Sequence, residues 1–366
     1  MGNRGKVVVG MSGGVDSSVA ALVLKEAGYD VFGLSMRLYQ CPLEGTSGCC
    51  TASDRNDARA VCGILGIPHE VIEETDAFRH KVIEPFIRDY LDGRTPSPCT
   101  WCNRFLKFPI LLEKMRSLDA DWIATGHYAR VERGKDGRAR LLRAVDEVKD
   151  QSYFLFPMGR EELKRLLLPV GSWTKDEVRR KARANGLPVT DKPESQEICF
   201  VSDGDYVSYI ENSAGERLGG PGRFVDQEGN VLGTHRGIHA YTIGQRKGLG
   251  LGGGPKRHVL RIDALKNQVV LGDVEDLASD HCVVAQTLWL DPAAEAQVDA
   301  GESLSVTVKV RSRHKGVSAA VEKINLEKIN LGRVRVLFER PVSSVAPGQA
   351  AVFYDREQVL GGGWIE

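Results

Sequence analysis

The segment from Val7 to Leu24, VVVGMSGGVDSSVAALVL, constrains the fold of this chain more than any other stretch. Its three consecutive valines form a β-branched apolar run of the kind found in fully buried parallel strands. A Ser- and Gly-rich turn, Gly10–Gly14, follows, and apolar residues then recur at helical spacing until Gly28. A strand, a tight turn and a helix in this order direct backbone N–H groups and the positive end of the helix at an anion. The segment therefore predicts a phosphate site in an α/β domain.

The loop in this segment differs from two common nucleotide-binding motifs. It lacks the lysine of GxxxxGK[ST], and its glycines are not spaced as in GxGxxG. SGGVDSS (residues 12–18) instead resembles the PP-loop of ATP pyrophosphatases, which split ATP into AMP and pyrophosphate while adenylating a substrate oxygen. Seven matching positions argue against a turn that only connects two elements. Asp16 falls in the first helical turn, where a carboxylate suits the helix dipole and would help hold Mg²⁺ on the pyrophosphate.

Length and composition bound the remaining possibilities. A chain of 366 residues exceeds one typical core, so two or three domains are expected. The N-terminus shows no basic-then-apolar signal pattern and no apolar run reaches membrane-spanning length, which predicts a cytoplasmic protein without a membrane partner. In that compartment, eight cysteines favour catalytic, metal-binding or core thiols over a disulfide framework. Because the formal net charge is zero, a nucleic-acid partner requires local basic patches.

The order of elements predicts three domains. Alternating strands and helices over residues 1–203 predict a doubly wound, mainly parallel α/β domain, with ligands at the carboxyl ends of the strands. The Gly-rich turn, Met36 and Gly126 all fall at such ends. Frequent glycines predict a small, turn-rich central domain over 204–278, and short alternating strands predict a C-terminal antiparallel β-barrel over 279–366.

Two local predictions concern the first domain. Ser53 is predicted to cap a helix that runs to Leu65 and ends before Gly66. The segment Arg94–Asn103, RTPSPCTWCN, is predicted to be a loop because its prolines interrupt both helices and central strands.

The cysteines carry the second chemical pattern. Cys99 and Cys102 form a CxxC, and Cys199 lies in another irregular segment. Thiolates attack electrophiles, carry sulfane sulfur and exchange into disulfides, so two distant cysteines suit sulfur transfer, one as carrier and one as resolving thiol. The alternative is that Cys99, Cys102 and Cys199 hold an iron–sulfur cluster with one open iron. The sulfur-transfer pair is favoured, and Cys62 and Cys282 are interpreted as buried core thiols.

The motifs taken together resemble one family from end to end. They occur in the order SGGVDSS, GCCTASDRNDARAV, RTPSPCTWCNRFLKF, ATGHYAR, KDQSYFL, ESQEICFV, GIHAYTIGQRKGL and PGQAAVFYD…LGGGWI. This set resembles the tRNA-specific 2-thiouridylases, the MnmA family. The resemblance implies ATP-dependent replacement of the 2-carbonyl oxygen of the wobble uridine by sulfur, in tRNAs for Lys, Glu and Gln.

The resemblance also assigns roles to individual residues. Cys199 would carry the persulfide, and Cys102 would be the nucleophile that releases the sulfur and closes a transient disulfide with Cys199. ATP with Mg²⁺ would be held by Gly10, Met11, Ser12, Gly13, Gly14, Val15, Asp16, Ser17, Met36 and Gly126. The tRNA would be contacted by Ser97, Pro98, Cys99, His127, Lys149, Asp150, Gln151, Arg311, Ser312 and Gln349, of which the first three would face the target base. The implied partners are tRNA and a persulfide donor such as a cysteine desulfurase or a sulfur-relay protein.

The chain departs from the family pattern at two of these positions. Some members have Asp where this chain has Cys99, and that Asp has been assigned acid–base work, for which a thiol has a different pKa. Either that role is dispensable or supplied elsewhere, or Cys99 has a sulfur or cluster role. Ser97 stands where Asn is common, so the base contact would differ in detail.

Two other classes of protein share part of the pattern. A PP-loop enzyme of amide or amidine synthesis, such as a relative of the NAD or argininosuccinate synthetases, would share SGGVDSS but has no need of Cys102 and Cys199. A non-catalytic RNA-binding protein would keep the basic barrel and tolerate the loss of Asp16. The intact loop together with the cysteines argues against both. The sequence leaves open whether sulfur travels as the persulfide itself or as hydrosulfide.

Overall fold

The computed structural model describes residues 4–39, 52–192, 198–201, 204–252, 256–324 and 332–366. It divides into two compact units. The first comprises Met1–Val82, Cys99–Gly204 and Glu357–Val359, and the second comprises Ile83–Pro98, Asp205–Arg356 and Leu360–Glu366. Each unit is described by itself.

The first unit is built on a parallel five-stranded sheet in the order β3-β2-β1-β4-β7. Its strands are β1 (Lys6–Gly10), β2 (Asp30–Arg37), β3 (His69–Glu73), β4 (Trp122–Ala124) and β7 (Leu166–Leu167). The central strand pairs in parallel with both neighbours, with Val7 opposite Val31 on one side and opposite Trp122 on the other. The three valines of β1 are fully buried, as expected for a parallel strand covered on both faces. The predicted parallel α/β domain is confirmed.

Helices and one hairpin complete this unit. The helices up to Ala184 are α1 (Val15–Glu26), α2 (Ala52–Leu65), α3 (Thr75–Phe78), α4 (Glu84–Leu91, in the second unit), α5 (Pro98–Cys102), α6 (Phe108–Ser117), α7 (Ser152–Leu155), α8 (Arg160–Arg165) and α9 (Lys175–Ala184). Two π-helical segments, Arg79–Ile83 and Asn103–Lys107, lie between them. The hairpin consists of β5 (Ala129–Arg133) and β6 (Ala139–Arg143), and Gln358 and Val359 pair with β6.

The prediction at the start of α2 is wrong in detail. The helix includes Ala52, so Ser53 lies inside its first turn rather than at the cap. Its end is as predicted, because the helix stops at Leu65 and Gly66 takes a φ of 57°, a conformation that glycine adopts without steric cost.

The prediction that Arg94–Asn103 is entirely a loop is also wrong. Pro98–Cys102 forms helix α5, and a π-helical segment and α6 follow it directly. Pro98 is the first residue of the helix, where its missing N–H has no intrahelical partner to lose and its fixed φ already suits the helix. Proline therefore starts this helix instead of preventing it.

The second unit contains a small sheet followed by a barrel. The small sheet has the order β10-β11-β8-β9 and comprises β8 (Gly222–Val225), β9 (Val231–His235), β10 (His258–Asp263) and β11 (Gln268–Gly272). Helix α10 (Tyr206–Ala214) precedes these strands. Its core includes Phe224, Val259 and Leu271, which are fully buried. This is the predicted central domain.

The C-terminal strands form a closed six-stranded antiparallel barrel. They follow the order β12-β15-β14-β13-β16-β17, and an additional pairing of β12 with β17 closes the barrel. The strands are β12 (Ala278–Trp289), β13 (Leu304–Lys309), β14 (Val317–Lys323), β15 (Val334–Ser343), β16 (Ala350–Asp355) and β17 (Gln358–Ile365), and α11 (Pro292–Asp299) follows the first. The predicted β-barrel is confirmed.

No described helix combines the length and the apolar character that a bilayer crossing requires.

Candidate active site

The Gly-rich loop joins the carboxyl end of β1 to the amino end of α1. Gly10 is the last strand residue and Val15 the first helical residue. Gly14 occupies the N-cap in an extended conformation, with φ −96° and ψ 165°. Because Gly14 has no side chain, it cannot itself cap the N–H groups of the first helical turn. These groups and the helix dipole favour an anion at this point.

Serine hydroxyls hold the loop in shape. The hydroxyls of Ser12 and Ser17 lie 3.1 Å apart, and the Ser17 hydroxyl also donates to the carbonyl of Gly14 at 3.1 Å. The buried Ser18 hydroxyl donates to the same carbonyl at 2.8 Å. These contacts fix the turn before a ligand arrives, which reduces the conformational entropy that binding would cost.

Two glycines allow backbone segments to approach each other at the loop. Gly13 has a φ of 75°, and a β carbon there would overlap the backbone carbonyl of Asp54 in α2. A β carbon on Gly126, two residues past the end of β4, would lie 2.5 Å from the backbone nitrogen of Ser17. Only glycine fits at either position.

The predicted ATP-site residues therefore lie at one edge of the sheet. Strand β1 lies between β2, which carries the half-buried Met36 near its carboxyl end, and β4, which leads to Gly126. The close approach of Gly126 to Ser17 places it against the first turn of α1. The loop residues, Met36 and Gly126 are thus arranged as the sequence predicts.

Asp16 has two partners that the sequence did not suggest. The ammonium of Lys175, the first residue of α9, lies 2.8 Å from each carboxylate oxygen of Asp16, and the Tyr128 hydroxyl donates to Oδ1 at 2.7 Å. Lys175 is buried, and its ammonium also lies 5.7 Å from the centre of the Tyr128 ring. The carboxylate expected to help hold Mg²⁺ is thus already engaged in an ion pair.

A second lysine contacts the loop from another direction. The ammonium of Lys192 donates to the carbonyl of Gly13 at 3.1 Å and forms ion pairs with Asp54 and Asp57 of α2. Both Lys175 and Lys192 were missed by sequence reasoning. The only sequence indication for Lys175 was the capping box of Thr174 and Glu177, which the structure confirms at the start of α9, and nothing marked Lys192.

His127 follows Gly126 and is held neutral. Its Nδ1 lies 2.8 Å from the Thr125 hydroxyl. Burial of the ring and the charge of Lys107 lower the pKa of His127 to about 3, because both disfavour the imidazolium. At neutral pH the uncharged ring can donate or accept hydrogen bonds, but it has no positive charge with which to attract a phosphate.

The segment Lys149–Gln151 is organised by its own polar side chains. The Asp150 carboxylate accepts hydrogen bonds from the backbone of Ala144 and from the backbone and hydroxyl of Ser152. Gln151 exchanges hydrogen bonds with the backbone of Tyr128, through its side-chain oxygen at 3.0 Å and its backbone N–H at 2.8 Å. Asp150 thus shapes this segment, and Gln151 joins it to Tyr128, whose hydroxyl contacts Asp16.

The three cysteines of chemical interest differ in exposure. Cys102 is buried at the end of α5, Cys99 is exposed on the same helix, and Cys199 is half-buried in a turn. Phe200 anchors that turn by packing edge-on against Phe78, with ring centroids 5.6 Å apart. A half-buried thiol remains reachable by other molecules, whereas a buried thiol is protected from unrelated oxidants.

Two further cysteines are core thiols, as predicted. Cys62 belongs to the core of the first unit and Cys282 to that of the barrel. Burial raises the pKa of Cys62 to about 11 and that of Cys282 to about 12. Neither thiol therefore forms an appreciable thiolate at neutral pH.

The iron–sulfur alternative finds no support in the described residues. Among the described residues, no three or more His, Cys, Asp or Glu side chains lie together in a way that could hold a metal ion. Cys99, Cys102 and Cys199 are all described, so they do not form a ready-made cluster site in this structure.

In the second unit, Gln349 is brought to the segment that leads to Ser97 and Pro98. Its side-chain amide donates to the carbonyls of Thr95 and Pro96 at 3.0 and 3.1 Å. Ser97 and Pro98 are buried. Arg311 and Ser312 follow β13, and the Arg311 guanidinium donates to the carbonyl of Ser343 at 3.0 Å. Gln349 thus positions the segment predicted to face the target base.

Comparison with known proteins finds a family match for each of the three parts of the chain. Residues 5–203 match the tRNA methyl transferase HUP domain, residues 208–273 the tRNA methyl transferase PRC-barrel domain, and residues 279–365 the aminomethyltransferase beta-barrel domain. The chain is 48% identical to the tRNA-specific 2-thiouridylase MnmA of Chloroflexus aurantiacus over 98% of both chains. It is 46% identical to that of Geotalea uraniireducens, over 99% of this chain and 95% of the relative. For that of Acetivibrio thermocellus the identity is 45% over 100% of both. At this identity and coverage, the chain belongs to the MnmA family of tRNA-specific 2-thiouridylases.

Proposed function

We propose that this chain catalyses ATP-dependent 2-thiolation of the wobble uridine in the tRNAs for Lys, Glu and Gln. The activity, a tRNA sulfurtransferase that uses ATP, follows from the family. The observation that carries the proposal is the arrangement of the Gly-rich loop, Met36 and Gly126 at one sheet edge, in the same unit as Cys102 and Cys199.

In the proposed first step, the 2-oxygen of the uridine attacks the α-phosphorus of ATP and pyrophosphate leaves. The N–H groups at the start of α1 stabilise the charge on the departing pyrophosphate. Mg²⁺ would arrive with the nucleotide and neutralise phosphate charge. The product is an adenylated uridine whose former 2-oxygen can leave as part of AMP.

In the proposed second step, sulfur replaces that oxygen. The terminal sulfur of a Cys199 persulfide attacks C2 and AMP departs, after which the Cys102 thiolate attacks Sγ of Cys199 and releases the thiolated base. In the alternative order, Cys102 first displaces hydrosulfide from Cys199, and hydrosulfide attacks C2. Either order leaves a disulfide between Cys102 and Cys199, which a thiol reductant must open before the donor recharges Cys199.

The contacts with tRNA are assigned by the family resemblance. Cys99, His127, Lys149, Asp150 and Gln151 would act from the first unit, and Ser97, Pro98, Arg311, Ser312 and Gln349 from the second. The hydrogen bonds of Asp150, Gln151 and Gln349 to nearby backbone support a role in shaping the binding loops.

The proposed domains are 1–203, 204–278 and 279–366, and each family match lies within one of them. A cytoplasmic location stays a prediction from composition.

Cysteine variants test the sulfur route. Purified protein is incubated with unmodified tRNA, ATP and a cysteine desulfurase that supplies persulfide, and 2-thiouridine is quantified by mass spectrometry. Cys199→Ser and Cys102→Ser are expected to lose thiolation, whereas Cys282→Ala, in the barrel core, is expected to keep it. Full thiolation by Cys199→Ser would exclude the carrier role.

Iron content separates the persulfide route from the cluster alternative. Anaerobically purified protein that thiolates tRNA without iron would support the two-cysteine route. Activity that appears only with iron and labile sulfide would contradict it and assign Cys99, Cys102 and Cys199 to a cluster.

A further inference from the structure

We propose that Lys192 is a positioning residue for the Gly-rich loop, Gly10–Gly14. Its ammonium holds the Gly13 carbonyl and neutralises carboxylate charge beside the site of the ATP phosphates. The proposal rests on the proposed function only in taking this loop as the ATP site.

The ammonium of Lys192 has three acceptors within reach. The carbonyl of Gly13 lies at 3.1 Å, Oδ1 of Asp54 at 2.6 Å and Oδ2 of Asp57 at 2.5 Å. An ammonium has three N–H donors, so these acceptors match its capacity. The side chain therefore links the loop after β1 to the first two turns of α2.

The position of α2 makes this link important. The backbone of Asp54 lies so close to Gly13 that no β carbon fits between them, and the Asp54 side chain is largely buried. Two carboxylates of α2 therefore share a lysine that also donates a hydrogen bond to the Gly-rich loop. Burial of the ammonium opposes its charge, but the hydrogen bonds and charges of Asp54 and Asp57 outweigh burial and raise the pKa of Lys192. The lysine is thus charged at neutral pH.

Removal of the Lys192 charge would affect ATP in two ways. The Gly13 carbonyl would lose its donor, so the loop would no longer be held in its turn. Two carboxylates that lose this countercharge would also repel the phosphates across a partly desolvated site, where charges interact more strongly than in water. Both effects weaken ATP binding, so the change is expected in KM for ATP rather than in kcat.

The central experiment compares Lys192→Met with Lys192→Arg. Lys192→Met is expected to raise KM for ATP by about tenfold while kcat at saturating ATP changes less than about threefold. Lys192→Arg retains the charge and is expected to restore most of the affinity. Lys181→Met serves as the control, because Lys181 lies in the same unit and pairs with Glu26 away from the loop. An unchanged KM in Lys192→Met would overturn the proposal.

A charge-compensation variant separates electrostatics from simple loss of structure. Lys192→Met/Asp57→Asn removes one of the two carboxylates and is expected to recover about half of the lost affinity on a logarithmic scale. Added salt should also reduce the difference in KM for ATP between Lys192→Met and wild type, because salt screens the repulsion. Failure of both the double variant and salt to improve ATP binding would contradict the electrostatic role.

Two measurements keep the test decisive if Lys192→Met does not fold. Asp57→Asn alone retains Lys192 and is expected to bind ATP at least as tightly as wild type, so a tenfold loss would overturn the proposal. Titration calorimetry with a non-hydrolysable ATP analogue, without tRNA, measures nucleotide binding directly. A wild-type protein that binds ATP but forms no 2-thiouridine would contradict the proposed function and leave the role of Lys192 intact.

Discussion

The ammonium of Lys175 lies 2.8 Å from both carboxylate oxygens of Asp16. This ion pair joins the first turn of α1 to the start of α9, and the two residues are 159 positions apart in the sequence. The lysine side chain is 9% exposed and that of the aspartate 30%, so the pair is only partly screened by water. Coordination of Mg²⁺ by Asp16 would therefore compete with Lys175. In the proposed ATP site, the ion pair would reduce the repulsion between the Asp16 carboxylate and the phosphates.

Replacement of Lys175 should destabilise the first unit. Lys175→Met leaves the Asp16 carboxylate partly buried beside Tyr128 with no countercharge, and we expect the free energy of unfolding to fall by about 1–3 kcal/mol. Lys181→Met removes the half-buried ion pair of the same helix with Glu26, whose carboxylate is more exposed than that of Asp16, and should cost less than about 1 kcal/mol. Denaturant titrations of both variants measure the difference. Equal stability of the two variants would show that the Lys175–Asp16 pair contributes no more than the Lys181–Glu26 pair.

Glycine substitutions test the close approaches at the loop. Gly126→Ala places a β carbon 2.5 Å from the backbone nitrogen of Ser17, so α1 or the segment after β4 must shift and ATP binding should fall by at least about tenfold. Gly63→Ala is the matched control, because Gly63 lies in α2 with open space around its position. The control should keep ATP affinity and gain about 0.5–1 kcal/mol of stability from helix propensity. Normal ATP binding by Gly126→Ala would mean that the approach is not needed for the site.

Cys99 should be dispensable if two cysteines carry the sulfur. It is exposed on α5, one helical turn before the buried Cys102. At saturating tRNA, which compensates for any lost tRNA contact of Cys99, we expect Cys99→Ala and Cys99→Asp to form 2-thiouridine within about threefold of wild type, since neither removes a member of the proposed pair. The assay is single-turnover 2-thiouridine formation with persulfide-loaded protein. A loss of more than about tenfold in Cys99→Ala, with Cys99→Asp still active, would instead give this position acid–base work.

Local sequence predicted the parts of the site that are local in the chain. The valine run, the Gly-rich turn and the first helix lie within one short segment, so spacing and residue type specify them. The end of β4 placed Gly126 correctly because parallel strands end at the same edge. The helix that begins at Pro98 departs from the prediction because proline interrupts a helix interior but loses no hydrogen bond at the first helical position.

The partners of the loop could not be predicted in this way. Lys175 and Lys192 lie 159 and 179 residues from the groups they contact. A lysine on an amphipathic helix or after a turn has no periodic pattern that distinguishes an exposed side chain from one aimed at a loop. Their roles depend on how α9 and the chain after it pack against α1 and α2, which tertiary structure alone reveals.

His127 should make stability depend on pH. In the folded protein its pKa is about 3, whereas in the unfolded chain it is near 6.5, so between these values the unfolded state binds the extra proton. The contribution of His127 to stability is therefore complete above pH 6.5 and declines as the pH falls, by about 2 kcal/mol at pH 5. His127→Gln, which can still bond Thr125, should show a correspondingly smaller loss between pH 7 and pH 5. Denaturant titrations at the two pH values measure this difference. Identical losses in wild type and variant, or a His127 ring resonance that titrates near pH 6.5 in the folded protein, would show that the ring is not held neutral.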